Sequence, residues 1–411
     1  MNILIVSQYF WPENFRINDL ALALKERGHD VTILTGMPNY PAGKIYNGYS
    51  WWKNKRDNMQ GIPVIRVPLF ARRKSRSWQL ALNYLSFVVT SCLFGAWLLR
   101  NQSFDIVFTY QLSPATVGIP GILMKKLKRA PMLFWVQDLW PESLSATGSI
   151  KSPAILSAVS RMVKNIYRNC DRILIQSRGF VAPAVAVGAE RDKIEYFPNW
   201  AEPLYQPVVL DAVAPERSEV PTEGFVVMFA GNLGTAQSLD TIIEAATLCK
   251  DEPIHWVFLG DGRRREWLER AVEDNSLSKV HVLGSRPIES MPAYFSLADV
   301  MLVTLRDAPV MTTTIPGKIQ SYLACAKPIV AALNGEGARV IEESGAGISV
   351  ASADSEGLAA AVVKMSHLSE REFQEMGSSA LLYYKSYFER EMLVSQLDLW
   401  MQQELDRRST L

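Results

Sequence analysis

The chain has 411 residues, 48% of them hydrophobic, and 43 Lys and Arg against 42 Asp and Glu. That length suggests two domains, each with its own core, and a net charge of +1 gives no support for nucleic-acid binding as the main task. Cys92, Cys170, Cys249 and Cys325 stand far apart without a CxxC pair, which argues against a disulfide framework or a cysteine metal site.

Asn2 to Ser7 reads as a buried first strand. It lacks a charged n-region and a cleavage site, so the expectation is a cytoplasmic protein without a secretion signal. The following loop carries Tyr9, Trp11, Pro12, Glu13 and Asn14. A helix with Ile17, Leu20, Ala21 and Leu24 on one face then runs to Gly28, and Val31 to Thr35 is the next strand. This is a βαβ start, and such sheets take ligands beyond the carboxyl ends of their strands. No GxGxxG is present in that turn, so a nicotinamide-dependent dehydrogenase is not supported.

Leu80 to Leu99 contains no charged residue and is long enough to span a bilayer. Strands expected at Val64–Pro68 and Asp105–Tyr110 flank it, and spanning would place them on opposite sides of a membrane. Gln79, Asn83, Ser86 and Thr90 form a narrow polar stripe. Arg72, Arg73, Lys74 and Arg76 precede the stretch, Arg100 closes it, and Lys125 to Arg129 adds a second basic run. A helix over 78–100 lying on an anionic membrane surface is the expectation. A core helix is the alternative.

Further strands are expected at Met132–Asp138, Arg172–Ser177 and Ile194–Pro198. Residues 201–223, broken by Pro203, Pro207, Pro215 and Pro221, read as a linker between a domain over 1–200 and another over 224–388. The second series starts at Phe225 and continues at Ile254–Leu259, Lys279–Leu283, Asp299–Leu305, Pro328–Leu333 and Gly347–Val350. The expected class is doubly wound α/β. A helix over 389–411, with Leu393, Leu397, Trp400 and Met401 on one face, is expected to return to the first domain.

Phe225 to Ala230 is a continuous apolar run, and Gly231 to Gln237 is a tight loop. Ser238 is placed to cap the helix that carries Leu239, Ile242, Ile243 and Ala246. Strand, glycine turn and helix N-terminus together suit a phosphate, although an ordinary βα turn has the same outline. Lys318 follows Pro316-Gly317 and opens a helix to Cys325. A lysine there opposes the helix dipole, which argues for an anion nearby, while a plain surface lysine is the other reading. Asp138 ends an apolar run at the ligand edge of the sheet, beside Gln137 and close to Trp140. It suits a general base or a hydrogen-bond acceptor, or else a turn before Pro141. His29, His255, His281 and His367 have no ligand spacing, so no metal is expected.

These landmarks, in this order, resemble the family-four retaining glycosyltransferases. They are Trp11-Pro12-Glu13-Asn14, Glu26 to Val31, Gln137 to Glu142, Pro198-Asn199, Gly231 to Gly234, Gly260-Asp261-Gly262, Gly284 to Pro287, and Pro316-Gly317-Lys318 through Pro328. Within that family the chain is most similar to N-acetyl-L-fucosamine transferases of O-antigen and capsule assembly. The resemblance implies a GT-B fold of two facing Rossmann-like domains. It also implies a UDP-sugar donor, a polyprenyl-diphosphate-linked saccharide acceptor, no metal cofactor, and work at the inner-membrane surface. It places Asn232, Leu233, Gly234, Thr235, Gly260, Asp261, Gly262, Arg286, Pro287, Pro316 and Gly317 at the donor. Glu13, Asn14, Gln137 and Glu142 fall at the acceptor, and Asp138 and Lys318 at the chemistry. The family's usual Arg or Lys pair is replaced by Asn232 and Gln237, its two glutamates by Thr313 and Ser321, and its histidine by Gln137. A sugar-nucleotide epimerase and a membrane-bound protein with a dead site are the alternatives.

Overall fold

The computed structural model describes residues 1–51, 55–73, 76–146, 150 and 152–409. Lys74 of the first basic run lies outside the described residues. The chain forms two compact units, one holding Met1–Phe197 and the chain from Glu391 on, the other Pro198–Arg390.

The first unit is built on an eight-stranded sheet in the order β3-β4-β2-β1-β5-β6-β7-β8. The strands are β1 (Asn2–Ser7), β2 (Asp30–Gly36), β3 (Arg56–Met59), β4 (Ile62–Val67), β5 (Ile106–Gln111), β6 (Met132–Val136), β7 (Arg172–Ile175) and β8 (Ile194–Tyr196). Apolar runs such as Ile3 to Val6 and Met132 to Val136 are wholly buried, as strands covered on both faces must be. All pairings are parallel except β3 with β4. That hairpin was not expected. Gln60 and Gly61, both at positive φ, turn it in the manner of a primed hairpin loop.

Helix α1 (Arg16–Glu26) buries Ile17, Leu20, Ala21 and Leu24 as its spacing predicts. Helix α2 spans Ser77–Leu98, with a π-helical turn at Ser91–Gly95. It is long and apolar enough to cross a membrane, yet it sits in this unit with only 22% of its most apolar stretch buried. The polar stripe faces protein. Asn83 accepts a hydrogen bond from Gln8 Nε2 at 2.7 Å, Ser86 accepts one from the Phe70 N–H at 3.0 Å, and Thr90 donates to the Pro68 carbonyl at 2.6 Å. Phe87 is fully buried beside them, whereas Trp78, Leu85, Val89, Leu93, Phe94 and Trp97 form an exposed apolar face. Helix α3 (Gly118–Lys128) brings the second basic run to the end of α2, where Lys128 donates to the carbonyls of Leu99 and Gln102.

The second unit carries a fully parallel sheet in the order β11-β10-β9-β12-β13-β14. Its strands are β9 (Phe225–Ala230), β10 (Ile254–Leu259), β11 (Val280–Gly284), β12 (Val300–Thr304), β13 (Ile329–Ala332) and β14 (Gly347–Val350). Along β9, Val226, Met228 and Ala230 pack into one cluster with Ile319 and Tyr322, while Val227 and Phe229 join Leu239 and Ile242 in another. Helices α4 (Leu239–Leu248) and α5 (Gly317–Ala324) cover these two faces. The expected strands Met132–Asp138, Arg172–Ser177, Ile194–Pro198, Asp299–Leu305 and Pro328–Leu333 are each two residues shorter in the structure, whereas Val31–Thr35 is extended at both ends to Asp30–Gly36.

Residues 201–223 pack on the second unit. Tyr205 stacks on Phe295 with ring centroids 5.7 Å apart, and Glu219 pairs with Arg286 at 2.5 Å.

The last helix, α6 (Arg390–Ser409), belongs to the first unit. Asp398 takes Arg27 at 3.1 Å and His29 at 2.9 Å. Arg172, at the start of β7, donates to Glu404 at 2.6 Å and 3.0 Å and to Glu195 at 2.7 Å. Arg172 and Glu404 are 4% and 5% exposed, so neither charge has water to fall back on. Arg172→Ala is expected to lower stability by ~1–3 kcal/mol, because it leaves the buried Glu404 carboxylate with the exposed Arg407, 3.1 Å away, in place of two contacts from a buried guanidinium. Urea unfolding monitored by tryptophan fluorescence measures this, and a loss below about 1 kcal/mol would mean that water satisfies Glu404.

Candidate functional site

In the second sheet the strand order reverses between β9 and β12, and such a switch point leaves a crevice at the carboxyl ends of the strands. The loop from Gly231 to Ser238 leaves β9 there. Leu233 anchors it, fully buried, donating its N–H to the Asp261 carbonyl at 2.8 Å and accepting from the Arg264 N–H at 3.0 Å. Gly260 has a positive φ of 138°, and a Cβ there would lie 1.9 Å from the Gly231 carbonyl oxygen. Only glycine lets these two turns close on each other. Gly231, Asn232, Thr235 and Asp261 remain exposed, with Gly234, Gly260 and Gly262 partly so.

Ser238 does not cap α4 with its side chain. It sits in the left-handed region, and its hydroxyl meets the Thr241 hydroxyl at 3.0 Å. The loop is held instead by backbone. The Gln237 carbonyl accepts from Thr304 Oγ1, and the Arg306 N–H donates to the Ala236 carbonyl at 3.0 Å.

Lys318 reaches into this crevice from the first turn of α5. Its ammonium lies 3.7 Å from the centre of the Phe229 ring and donates to Gln237 Oε1 at 2.9 Å. It would also stand 3.5 Å from a Cβ at Gly231, so it borders the glycine turn. Among the described residues no carboxylate lies within ion-pair distance of it. Burial pulls its pKa down to about 7. Pro316 and Gly317 precede it at the helix start, partly buried and exposed respectively.

Three arginines nearby are used internally. Arg264 holds Asp240 with two contacts, at 2.6 Å and 2.9 Å, and Arg265 holds Glu269 at 2.8 Å. Arg286 is committed to Glu219, the Tyr294 hydroxyl and the Leu283 carbonyl. Its guanidinium therefore braces the 201–223 segment, and the exposed Pro287 and the loop backbone are what it leaves for a ligand. Thr313, partly buried, donates to the Val310 carbonyl at 3.0 Å, and Ser321 is buried in α5.

In the first unit the switch point falls between β1 and β5. Asp138 lies on the loop after β6. Its carboxylate accepts from Trp140 Nε1 at 3.2 Å, and Gln111 Nε2 donates to its carbonyl at 2.7 Å. Burial raises its pKa, against hydrogen bonds from Ser143, Trp140 and Ser113. Burial also raises the pKa of Glu142 on the same loop. The Tyr84 ring meets the Trp140 ring edge-on at 6.2 Å. Gln137 is partly buried next to Asp138, and its carbonyl accepts from Gln176 at 3.2 Å. The loop after β1 divides its residues differently. Asn14 is exposed, but Glu13 is 2% exposed and accepts backbone N–H groups of Asn39 and Tyr40 at 2.7 Å and of Phe10 at 3.3 Å. Burial outweighs these bonds and lifts its pKa to about 7. Glu13 thus ties its own loop to the Asn39–Tyr40 loop.

Sequence reasoning did not single out Phe229, Ser113 or Tyr84. Their signals were weak, since a buried strand phenylalanine and a serine before proline occur in any fold.

Two family models match the chain. A glycosyl transferase 4-like domain covers residues 14–200, and glycosyl transferases group 1 covers residues 224–367. Both units thus match glycosyltransferase family models. WcaI of Escherichia coli strain K12, described as a colanic acid biosynthesis glycosyl transferase, is 25% identical over 79% of this chain and 81% of its own. The glycosyltransferase WbjE of Pseudomonas aeruginosa is 27% identical over 69% of this chain and 72% of its own. Among solved structures, Anabaena HepE in complex with UDP superposes with a TM-score of 0.71 at 16% identity, covering 98% of this chain and 100% of that one. The fold is GT-B, with two Rossmann-like parallel sheets.

The Lys318 titration gives this glycosyltransferase a specific pH signature. Its folded pKa, about 7, lies below the ordinary lysine value of 10.5, so the unfolded chain binds more protons between those values. Stability contributed here rises as pH increases from about 7 toward 10. Chemical denaturation of wild type and Lys318→Met at pH 6 and pH 9 is expected to show the variant relatively more stable at the lower pH. An equal difference at both values would mean that the ammonium is not buried.

Proposed function

We propose that this glycosyltransferase moves a sugar, with retention, from a UDP-sugar to a polyprenyl-diphosphate-linked saccharide at the cytoplasmic face of the inner membrane. N-acetyl-L-fucosamine or a related deoxy-amino sugar is the proposed cargo, and surface polysaccharide assembly the proposed setting. The observation that carries the reading is the Lys318 ammonium, buried at a switch point with an aromatic ring and a neutral amide as its neighbours. A cation in that position lacks a partner that a diphosphate supplies. The names of WcaI and the UDP complex of HepE support the same direction.

In this reading the diphosphate rests on the turn from Gly231 to Thr235 and the start of α5. As the bond to the sugar breaks, charge grows on the leaving diphosphate, and Lys318 together with free N–H groups stabilises it. Asp138 accepts a hydrogen bond from the acceptor hydroxyl, and burial raises its proton affinity above that of an ordinary carboxylate, which favours taking the proton. Metal independence belongs to the same proposal.

UDP binding is expected to weaken as pH rises above about 7, where Lys318 loses its proton, and to be nearly flat with pH in Lys318→Met. Isothermal titration with UDP measures both. In turnover with the true donor, Lys318→Ala is expected to raise the barrier by ~2–4 kcal/mol. Normal release of UDP by that variant would remove Lys318 from the mechanism.

Membrane association is a separate expectation. The exposed face of α2 beside the basic end of α3 suits an anionic bilayer surface. Leu85→Asn with Leu93→Asn is expected to release the protein from phosphatidylglycerol vesicles without lowering its melting temperature, because both residues are exposed. Phe87→Ala is expected to cost ~3–5 kcal/mol of stability instead. Unchanged vesicle sedimentation of the double variant would leave α2 facing something other than lipid.

A further inference from the structure

Behind the exposed face of α2 lies a cavity of about 410 Å³ that the donor and acceptor residues leave unused. That volume falls in the range of small-molecule sites. One wall is Trp51, Pro68 and Phe70, and the facing wall is Phe94, Trp97 and Leu98 of α2. The walls are almost wholly apolar. The rings of Trp51 and Phe70 meet edge-on with centroids 5.8 Å apart. Lys55, Arg66, Ser86 and Thr90 also line it, but most of its wall surface is apolar, and a mostly apolar hollow of this size is a place for hydrocarbon rather than for a sugar.

Two observations say which hydrocarbon. Phe94 and Trp97 line the cavity and are also 52% and 59% exposed on the apolar face of α2. The hollow is therefore continuous with the surface that faces the bilayer in the proposed function. At its other wall, the segment Pro68–Phe70 is pinned to α2 by Thr90, Ser86 and Asn83, and leads within two residues to Arg72. The Arg72 guanidinium lies over the rings of Tyr40 and Tyr9, 5.0 Å and 5.8 Å from their centres, and its Nε is buried without a hydrogen-bond partner. A hydrocarbon hollow that leads to an arginine with a spare donor matches a lipid whose chain ends in phosphate.

We propose that this cavity holds the isoprene units next to the diphosphate of the lipid-linked acceptor, with Arg72 receiving that diphosphate. The assignment rests on the lipid-linked acceptor of the proposed function and names where its chain is held. Lipid drawn from the bilayer enters past Phe94 and Trp97, which line the cavity and are exposed on the same face.

The test uses the full chain in mild detergent micelles, so that labelling does not depend on vesicle binding. The probe is a long-chain polyprenyl diphosphate bearing a diazirine on its phosphate-proximal units. After irradiation, mass spectrometry is expected to find the label on residues 94–98 or on Trp51 or Phe70. Leu98→Trp, which fills the hollow, is expected to cut labelling at least tenfold. Phe94→Glu, a change at an exposed position, is expected to do the same if Leu98→Trp fails to fold. Excess unlabelled phosphatidylethanolamine is expected to compete poorly. Labelling that survives both substitutions, maps elsewhere, or is displaced equally by the phospholipid would overturn the proposal. UDP binding is measured on the same samples. Normal UDP binding without cavity labelling defeats only this inference, whereas loss of UDP binding by wild type defeats the functional reading beneath it.

Discussion

A lysine ammonium drawn out of water with, among the described residues, no carboxylate in ion-pair distance is the constraint on which the second unit turns. Lys318 is held by the Phe229 ring and the Gln237 amide, both neutral. Such a charge is costly to keep from water, and its lowered pKa expresses that cost. The surrounding backbone accommodates it. Gly260 allows its turn to close against Gly231, Leu233 locks the loop to Asp261, and Thr304 fixes the carbonyl of Gln237. The cation thus meets an open, rigid turn, which is what preorganised stabilisation of a leaving anion needs.

Most other buried or crowded charges in the molecule answer one another. Arg172 and Glu404 join the last helix to β7, Arg286 and Glu219 fasten the 201–223 segment, and Arg264 grips Asp240. Glu13 spends its oxygens on three backbone N–H groups. These groups are architecture. Against that background Lys318 stands out, and so do Asp138 and Glu142, whose burial raises their proton affinity at the edge of the first sheet.

Much of the fold was legible because parallel strands buried on both faces are continuous apolar runs. Phe225–Ala230 and Ile254–Leu259 are such runs, and their limits agree with the structure. Strand β3 was invisible, since Arg56 to Met59 is mostly polar and is defined by its pairing with β4. The role of Lys318 as a cation at a glycine turn could be suspected from its place at a helix start, but its lack of a counter-ion is a fact of three dimensions. Glu13 shows the converse. A carboxylate in a loop after a first strand looks available, and only the convergence of Asn39, Tyr40 and Phe10 reveals that it is occupied. Ser238 has the right side chain for a cap but a left-handed backbone, which points its hydroxyl at Thr241. The polar stripe of α2 was visible in the sequence, and the hollow behind it was not, because its walls come from separate stretches of the chain around Trp51, Pro68–Phe70 and α2.

The placement of α6 has a consequence for how the protein is made. The second unit is an insertion in the first, entered after Phe197 and left before Glu391. During synthesis the strands of the first unit emerge early, but the helix that neutralises Arg172 emerges about two hundred residues later. At ribosomal rates of roughly 5–20 residues per second, Arg172 of β7 has Glu195 within a few seconds but waits on the order of ten seconds or more for Glu404. Throughout that interval the inserted unit is itself still being completed, and the enclosing unit has Arg172 held by Glu195 but not yet by Glu404, with an uncovered apolar patch where Leu393, Leu397 and Met401 will later settle. The nascent chain is thus most exposed to chaperones and proteases at its oldest part.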